Sequence, residues 1–374
     1  MSRPVELGRR LKGTARGAGF FAVLAVLPSF NLAHWVLNML VFMLMYTVMS
    51  SAWNLTGGFA GYPSLGHAAF FGLGAYAEGL WFEHHAVHSG YEPFLILPLV
   101  GLLAGAIGLP IAAIAMRIRA DVFAIVTITL LFVAQTLAFN LRGVTGGAQG
   151  LAMPVAPFSL DTFERPFYFV LLLLLAAVMG LTWASMRSKV GLSLAAVRAD
   201  EDKAVGIGVH VTGVKLLGFA VSVGFTGMVG GIWAYYEGFI YPQFAVDPLV
   251  TIAIVLMTFL GGRATLWGPV LGAVILSLAQ QTLAYTLGGN QFYLIAYAAV
   301  FLVVMLFLPQ GIVPSIQERL RRKRRRKAVD AGASTPMGSP DGAAEPDGPA
   351  EPDTPPPPPV TSLARFAGVI RGSA

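Results

Sequence analysis

An all-α, polytopic membrane protein is the fold class this sequence predicts, and three observations predict it. Charged residues fill 12% of the 374 positions, about half the share found in soluble domains. Hydrophobic residues make up 56%, and the mean hydropathy is +0.69. The apolar residues also come in blocks close to the roughly 17–25 residues that a spanning helix needs. This pattern excludes a water-soluble enzyme with one or two compact cores. Cysteine is absent, which removes disulfide scaffolds, thiolate catalysis and cysteine-bound zinc.

Ten spans can be read in order, near 18–33, 35–55, 62–82, 93–115, 122–140, 166–186, 214–236, 248–262, 266–287 and 292–309. The first follows a basic N-terminus, 1–17, as a signal peptide would. No small-residue cleavage site follows it and further spans do, so it reads as retained. Alternating sides from an inner N-terminus places every Lys and Arg inside except Arg142 and Arg165, as the positive-inside rule requires. A missed span would invert everything after it, so both ends are expected in the cytoplasm. The membrane domain then covers 18–313, and a basic juxtamembrane segment follows over 314–327. Its run from Arg319 to Lys327 reads as an anchor on anionic lipid headgroups, not as a nucleic-acid site. Residues 328–374 are rich in Pro, Ala, Gly and acids, too polar to offset chain entropy, and are expected to be disordered.

Little chemistry fits in the short connections. His84 and His88 in the loop 83–92 have metal-compatible i, i+4 spacing, but no supporting pattern surrounds them. No Walker-type phosphate loop occurs. Gly72-Leu73-Gly74-Ala75-Tyr76-Ala77 matches a dinucleotide fingerprint only formally, because no strand precedes it. No catalytic constellation or metal set stands out. The longest inner connection, 187–213, has Leu194, Val197, Glu201, Ala204 and Val205 at helical spacing on one stripe. One amphipathic helix capped by Ser193 and ended by Gly206 and Gly208 is expected there. It would lie in the headgroup layer or insert into a partner's groove.

Glycine is abundant inside the spans, with 43 in the chain. Gly101 to Gly105 and Gly227 to Gly231 have the small-xxx-small spacing of close helix packing. The stretch Gly57-Gly58-Phe59-Ala60-Gly61-Tyr62-Pro63-Ser64-Leu65-Gly66-His67 should instead break a helix at membrane depth. Such breaks survive only where protein or a wet cavity satisfies the freed backbone, and they mark substrate paths in transporters. Asn54, Gly57, Gly58, Gly61, Pro63, Ser64, His67 and Glu78 are therefore the candidates for a translocation path. A second interruption runs from Gly261-Gly262-Arg263 to Trp267-Gly268-Pro269.

The run from Asn54 through Tyr76 resembles the signature of the larger membrane subunit of branched-chain amino-acid ABC importers. Asp121 to Thr127, Thr145-Gly146-Gly147 with Gly150-Leu151, and Gly191 through Phe219 are similar to that family in the same order. Leu260-Gly261-Gly262, Trp267 to Gly272 and Pro309-Gln310-Gly311 extend the resemblance to about 35–313. It implies a non-enzymatic permease subunit in the bacterial inner membrane. It also implies a homologous second permease subunit, two cytoplasmic ATPase subunits that use the ATP, and an extracytoplasmic binding protein. This chain would bind no cofactor. Residues 192–208 would be the coupling segment, with Leu194, Val197, Arg198, Glu201, Ala204 and Gly208 engaging the ATPase, and a charge at Leu194 or Val197 would uncouple without unfolding. The family often has basic residues where Leu192 and Ala195 stand here. Loops 141–165 and 239–247 would receive the binding protein. Leucine, isoleucine or valine is the expected solute, urea or a short amide the alternative, and a secondary carrier the rival mechanism.

Overall fold

The computed structural model describes residues 17–320 except 18, 31, 32, 86, 118, 119 and most of 288–310, where only 299 and 302 are described. The expected last span, the end of the basic segment and the tail 328–374 lie outside the described residues, as does nearly all of 1–17. The long helices are α1 (His34–Trp53), α2 (His67–His84), α3 (Glu92–Ala115), α4 (Ala120–Asn140) and α5 (Glu164–Arg187). Two short helices follow, α6 (Lys189–Ala199) and α7 (Glu201–Gly206). Then come α8 (Val211–Glu237), α9 (Pro248–Gly261) and α10 (Gly268–Leu287).

Six helical stretches among the described residues are long and apolar enough to cross a membrane, not ten. They are α1 extended to Ala60, α3, α4, α5, α8, and α9 with the turn before it. The first expected span is only a short apolar helix at Gly19–Ser29. α2 stands where a span was expected, but its glycines, His67, Tyr76 and Glu78 suit contact with protein better than with lipid, and those three side chains are buried.

α8 is the spine of the bundle, running along α2 and α3 and touching α1 and α5. Helices in lipid are held by packing, with no hydrophobic force between them, so close backbone approach matters. A side chain at Gly74 of α2 would strike the Gly227 carbonyl of α8, and one at Gly230 would strike the Phe71 carbonyl. On the other flank, Gly101 and Gly105 of α3 face Gly224 and Ala220 of α8, while Gly227 sits against Ala104. Both small-residue runs picked out in the sequence thus meet at this one helix.

The 27 residues of α8 span about 40 Å and separate two ends of the bundle. At one end β1 (Leu151–Ala152) pairs antiparallel with β2 (Phe239–Ile240), Leu151 opposite Ile240. Segments 141–165 and 239–247 are therefore joined there. At the other end lie α6 and α7.

Replacing Gly74 or Gly230 by Ala forces a methyl into backbone, and the expected cost is about 1–3 kcal/mol. At Gly180 on α5 an added Cβ would meet no atom within 4 Å, and Gly180→Ala should be neutral or slightly stabilising. Thermal unfolding in detergent compares the three; equal melting temperatures would contradict the close-approach account.

Candidate functional site

α1 does not stop cleanly at Trp53. It continues as a π-helical turn, Asn54–Ala60, closed by Gly61 at φ +77°. That left-handed conformation strains any residue with a Cβ, which is why a glycine stands there. Residues 61–66 are irregular, and α2 begins at His67.

Each exposed backbone group here must find a partner in protein, and several do so through single hydroxyls. Trp53 Nε1–H donates to the Ser64 carbonyl at 2.8 Å. Leu65 N–H donates to Thr127 Oγ1 of α4 at 2.9 Å, and Ala68 N–H to Thr251 Oγ1 of α9 at 2.8 Å. Asn54 bridges to the second glycine interruption: it accepts from Ala264 N–H at 2.8 Å and donates to the Thr265 carbonyl at 2.9 Å. Gly57 lies under the Trp53 ring, and Gly58 against the Asn54 amide. The two breaks that look unrelated in sequence form one joint.

His67 closes the joint from α2. Its Nδ1 lies 3.1 Å from Ser64 Oγ and its Nε2 lies 2.8 Å from Ser222 Oγ of α8. Ser222 donates its own hydrogen to the Ala52 carbonyl at 2.7 Å, so His67 Nε2 carries a proton and donates. In the neutral ring Nδ1 is then the acceptor, facing Ser64 Oγ. The chain links α1, the break and α8 with every side chain fully buried. Asn54, Ser64, His67 and Glu78 are thus enclosed, while Gly61 and Pro63 are half-buried. Glu78 does not sit at a wet helix end. It is fully buried against Gly231, and neither carboxylate oxygen has a hydrogen-bond partner among the described residues.

At the opposite face of the break, the expected single helix over 192–208 is two helices. Asp200 is extended (φ −167°, ψ 113°), and its side chain accepts from Lys203 N–H to start α7. A cap residue with a short polar side chain outcompetes helix continuation at that point. Ser193 is not a cap; α6 begins earlier, at Lys189. Gly206 does end α7, and Gly208 is left-handed. The kink also resets the stripe. Leu194, Val197 and Ala204 are buried, but Val205 is 60% exposed.

Those buried residues face this chain's own membrane helices. Val197 and Ala204 pack with Tyr62, Met116, Phe123, Val211 and Phe219, and Leu194 approaches Gly218. A charge at Leu194 or Val197 would therefore disrupt folding, which corrects the expectation drawn from sequence. The open face is instead Leu192, Ala195, Arg198 and Ala199. With Phe59, Met186, Gly191 and Ala264 these line a groove of about 500 Å³. Arg198 lays its stem along Gly61. Burial and then the neighbouring Arg263 charge lower its pKa, and neither arginine has an acidic partner among the described residues.

The residue that sequence reasoning missed is Lys215 of α8. Counted as a loop charge, it is only 2% exposed. Its ammonium donates to Glu201 Oε1 at 2.7 Å, to Tyr62 Oη at 3.0 Å and to the Met116 carbonyl at 3.1 Å. Tyr62 donates in turn to Glu201 Oε2. All three ammonium hydrogens are used, as a buried lysine requires. One lysine at the start of an otherwise apolar span was the available signal. Among the described residues no three His, Cys, Asp or Glu side chains converge as metal ligands. His84 and His85 instead bond to the Leu80 and Trp81 carbonyls of their own helix.

Removing Glu201 should cost more than removing Lys215. Glu201→Gln leaves a buried cation without its counter-charge, whereas Lys215→Met leaves a carboxylate that water can reach. Because Glu201 is 40% exposed, screening limits the pair's worth to about 1–3 kcal/mol; equal costs in thermal unfolding would refute the asymmetry. Partial burial raises the Glu201 pKa, but hydrogen bonds from Lys215 and Tyr62 and the Lys215 charge outweigh it, leaving the pKa lowered. A depressed carboxylate stabilises above its unfolded pKa of about 4.3 and loses that contribution as pH falls through the folded value. The protection factors of amides 201–206, that is exchange corrected for its intrinsic pH dependence, should thus be steady from neutral pH to about 5 and fall only below about 4.3.

The sequence matches a permease family of known type. The family described as branched-chain amino acid transport system, permease component, matches residues 35–308. The high-affinity branched-chain amino acid transport system permease protein LivM of Escherichia coli K12 is 26% identical over 330 residues, covering 80% of this chain and 75% of its own length. LivM of Salmonella typhimurium gives the same identity and coverage. The probable branched-chain amino acid transport permease protein LivH of Methanocaldococcus jannaschii is 22% identical, covering 62% of this chain and 78% of its own. No solved structure gives a significant match. With nearly three quarters of its length inside the family match, this multi-pass membrane chain belongs to the branched-chain amino acid transport permease family.

Proposed function

We propose that this chain is the larger of two membrane subunits of an ATP-driven, binding-protein-dependent importer in the bacterial inner membrane, carrying leucine, isoleucine or valine. The homologous second subunit completes the path, two cytoplasmic ATPase subunits supply the energy, and an extracytoplasmic binding protein delivers solute. The chain crosses the membrane several times with both ends in the cytoplasm, the permease domain covering 18–313. The paired segments 141–165 and 239–247 then face outward, and α6 and α7 face the ATPase.

The observation that carries this reading is the Lys215–Glu201–Tyr62 cluster around a buried ammonium. It ties the coupling segment to α8 and to the residue just after the broken helix. A push on α6 and α7 therefore reaches the joint through polar contacts that cannot slip without exposing a buried ammonium. Glu201, Leu194, Val197 and Ala204 couple from the inner side of the segment, while Arg198 and Gly208 stand on its partner-facing side. Asn54, Gly57, Gly58, Gly61, Pro63, Ser64 and His67 form the joint that rearranges, and Glu78 lies beside the path on α2. The exposed apolar pair Leu192 and Ala195 with Arg198, which has no acidic partner among the described residues, suits an acidic and apolar groove on the ATPase.

Labelled leucine uptake into proteoliposomes holding this chain, the second subunit, the ATPase and the binding protein tests the reading. Uptake should need both ATP and binding protein and be competed by isoleucine or valine. Uptake of urea or an amide instead would change the solute, and uptake by this chain alone on an ion gradient would overturn the machine. In the same assay Ala195→Asp or Arg198→Glu should lower ATP-driven uptake about tenfold or more, the scale of a lost interface anchor. Thermal stability should stay as in the native chain. Normal uptake in both variants would contradict this docking face.

A further inference from the structure

A second cavity lies toward the β-paired end. It is a cleft of about 360 Å³ between α1, α2, α8 and the start of α9, within the usual range for small-molecule sites. Its walls include Phe42 and Met49 of α1, Phe71 of α2 and Trp233 of α8, and its rim carries two carboxylates, Glu237 and Asp247. Phe71 and Trp233 are in ring contact, with centroids 5.4 Å apart. One Asp247 oxygen accepts from Leu249 N–H at 2.8 Å. Neither carboxylate has a basic partner among the described residues.

The depth of the cleft is informative. Met49 stands one helical turn from Trp53, and Phe71 one turn from His67. Trp53 and His67 are the side chains that hold Ser64 and close the broken segment. The cleft therefore runs from the β-paired end to within about one helical turn of the joint.

Resting on the importer reading, we propose that this cleft is the station on this chain that receives an aliphatic α-amino acid. Glu237 and Asp247 attract the α-ammonium at the rim, and the branched side chain points down among Phe42, Met49, Phe71 and Trp233. Below the rim the walls are mostly aromatic, aliphatic and thioether, with Tyr46 adding a hydroxyl, so they offer an aliphatic chain more contact than they offer a polyol. Two carboxylates with no basic partner among the described residues repel an anion and favour a cation, so the ammonium, not the carboxylate, is the group read here. Opening of the joint beneath Met49 and Phe71 would then release the solute inward.

The test uses the assembled complex in nanodiscs without nucleotide, irradiated with photo-leucine, a diazirine analogue of leucine, and mapped by mass spectrometry. Adducts are expected on peptides containing 42–49 or 233–250. 3-Methylbutylamine, which keeps the ammonium and the branched chain, should compete, and 4-methylpentanoate, which keeps only the chain and a carboxylate, should not. Glu237→Gln with Asp247→Asn should cut labelling and leucine uptake about tenfold, one charge-assisted contact's worth. ATP hydrolysis stimulated by the binding protein should be preserved, which shows that the variant is assembled. Labelling elsewhere, competition by the carboxylate alone, or unchanged labelling in the double variant would overturn the cleft assignment while leaving the importer standing. Failure of the native complex to take up leucine at all would sink the importer's solute and the cleft with it.

Discussion

The constraint on which the rest of this structure depends is that backbone away from water must find its hydrogen bonds in protein. The chain breaks a helix between Asn54 and His67, then draws on four other elements to hold the break, three through side-chain hydroxyls and one through its backbone. Thr127, Thr251, Ser222 and the backbone around Ala264 each come from a different part of the sequence. This is why α4, α8, α9 and the second interruption have to converge where they do. Glycines at the helix contacts let them come close enough.

A joint built this way suits a protein that alternates between states. Single hydroxyl and amide contacts can be exchanged at small net cost when another partner is offered, whereas a packed apolar core resists partial change. The lysine cluster is different in kind. Lys215 is desolvated and fully bonded, so it holds α7, Tyr62 and α8 together as one body. Under the proposed function, the inner end therefore moves as a unit and the joint is the part that yields. No tight solute binding by this chain is needed, only a difference in affinity between two arrangements.

Much of this was legible in the sequence. Apolar blocks located the long helices to within a few residues, because spanning length and apolarity leave little choice. The glycine and proline run announced the break, and small-residue spacing announced the faces of α3 and α8. Other features left no such trace. A helical stripe reads through Asp200 without interruption, since periodicity does not register a cap that restarts the helix; Val205 was misplaced for that reason. Lys215 looked like one more positive-inside charge. Thr127 and Thr251 are single hydroxyls in apolar helices, and sequence cannot distinguish those that serve a distant backbone from those that bond their own turn. Six helices among the described residues meet the length and apolarity for crossing, because α2 is built for protein contact, the first expected span and the apolar part of α10 (Gly268–Leu283) are short, and the last expected span lies outside the described residues.

The most direct measurement of the account is hydrogen–deuterium exchange on the assembled complex, read at residues 61–68 and 201–206 with and without ATP. If the lysine cluster carries motion from the coupling segment to the joint, both stretches change protection together in the native chain. In Glu201→Gln the ATPase still binds and 201–206 still responds, but the response at 61–68 is lost. An unchanged response at 61–68 in that variant would show that the joint is driven by another route, and the central role of the cluster would fall.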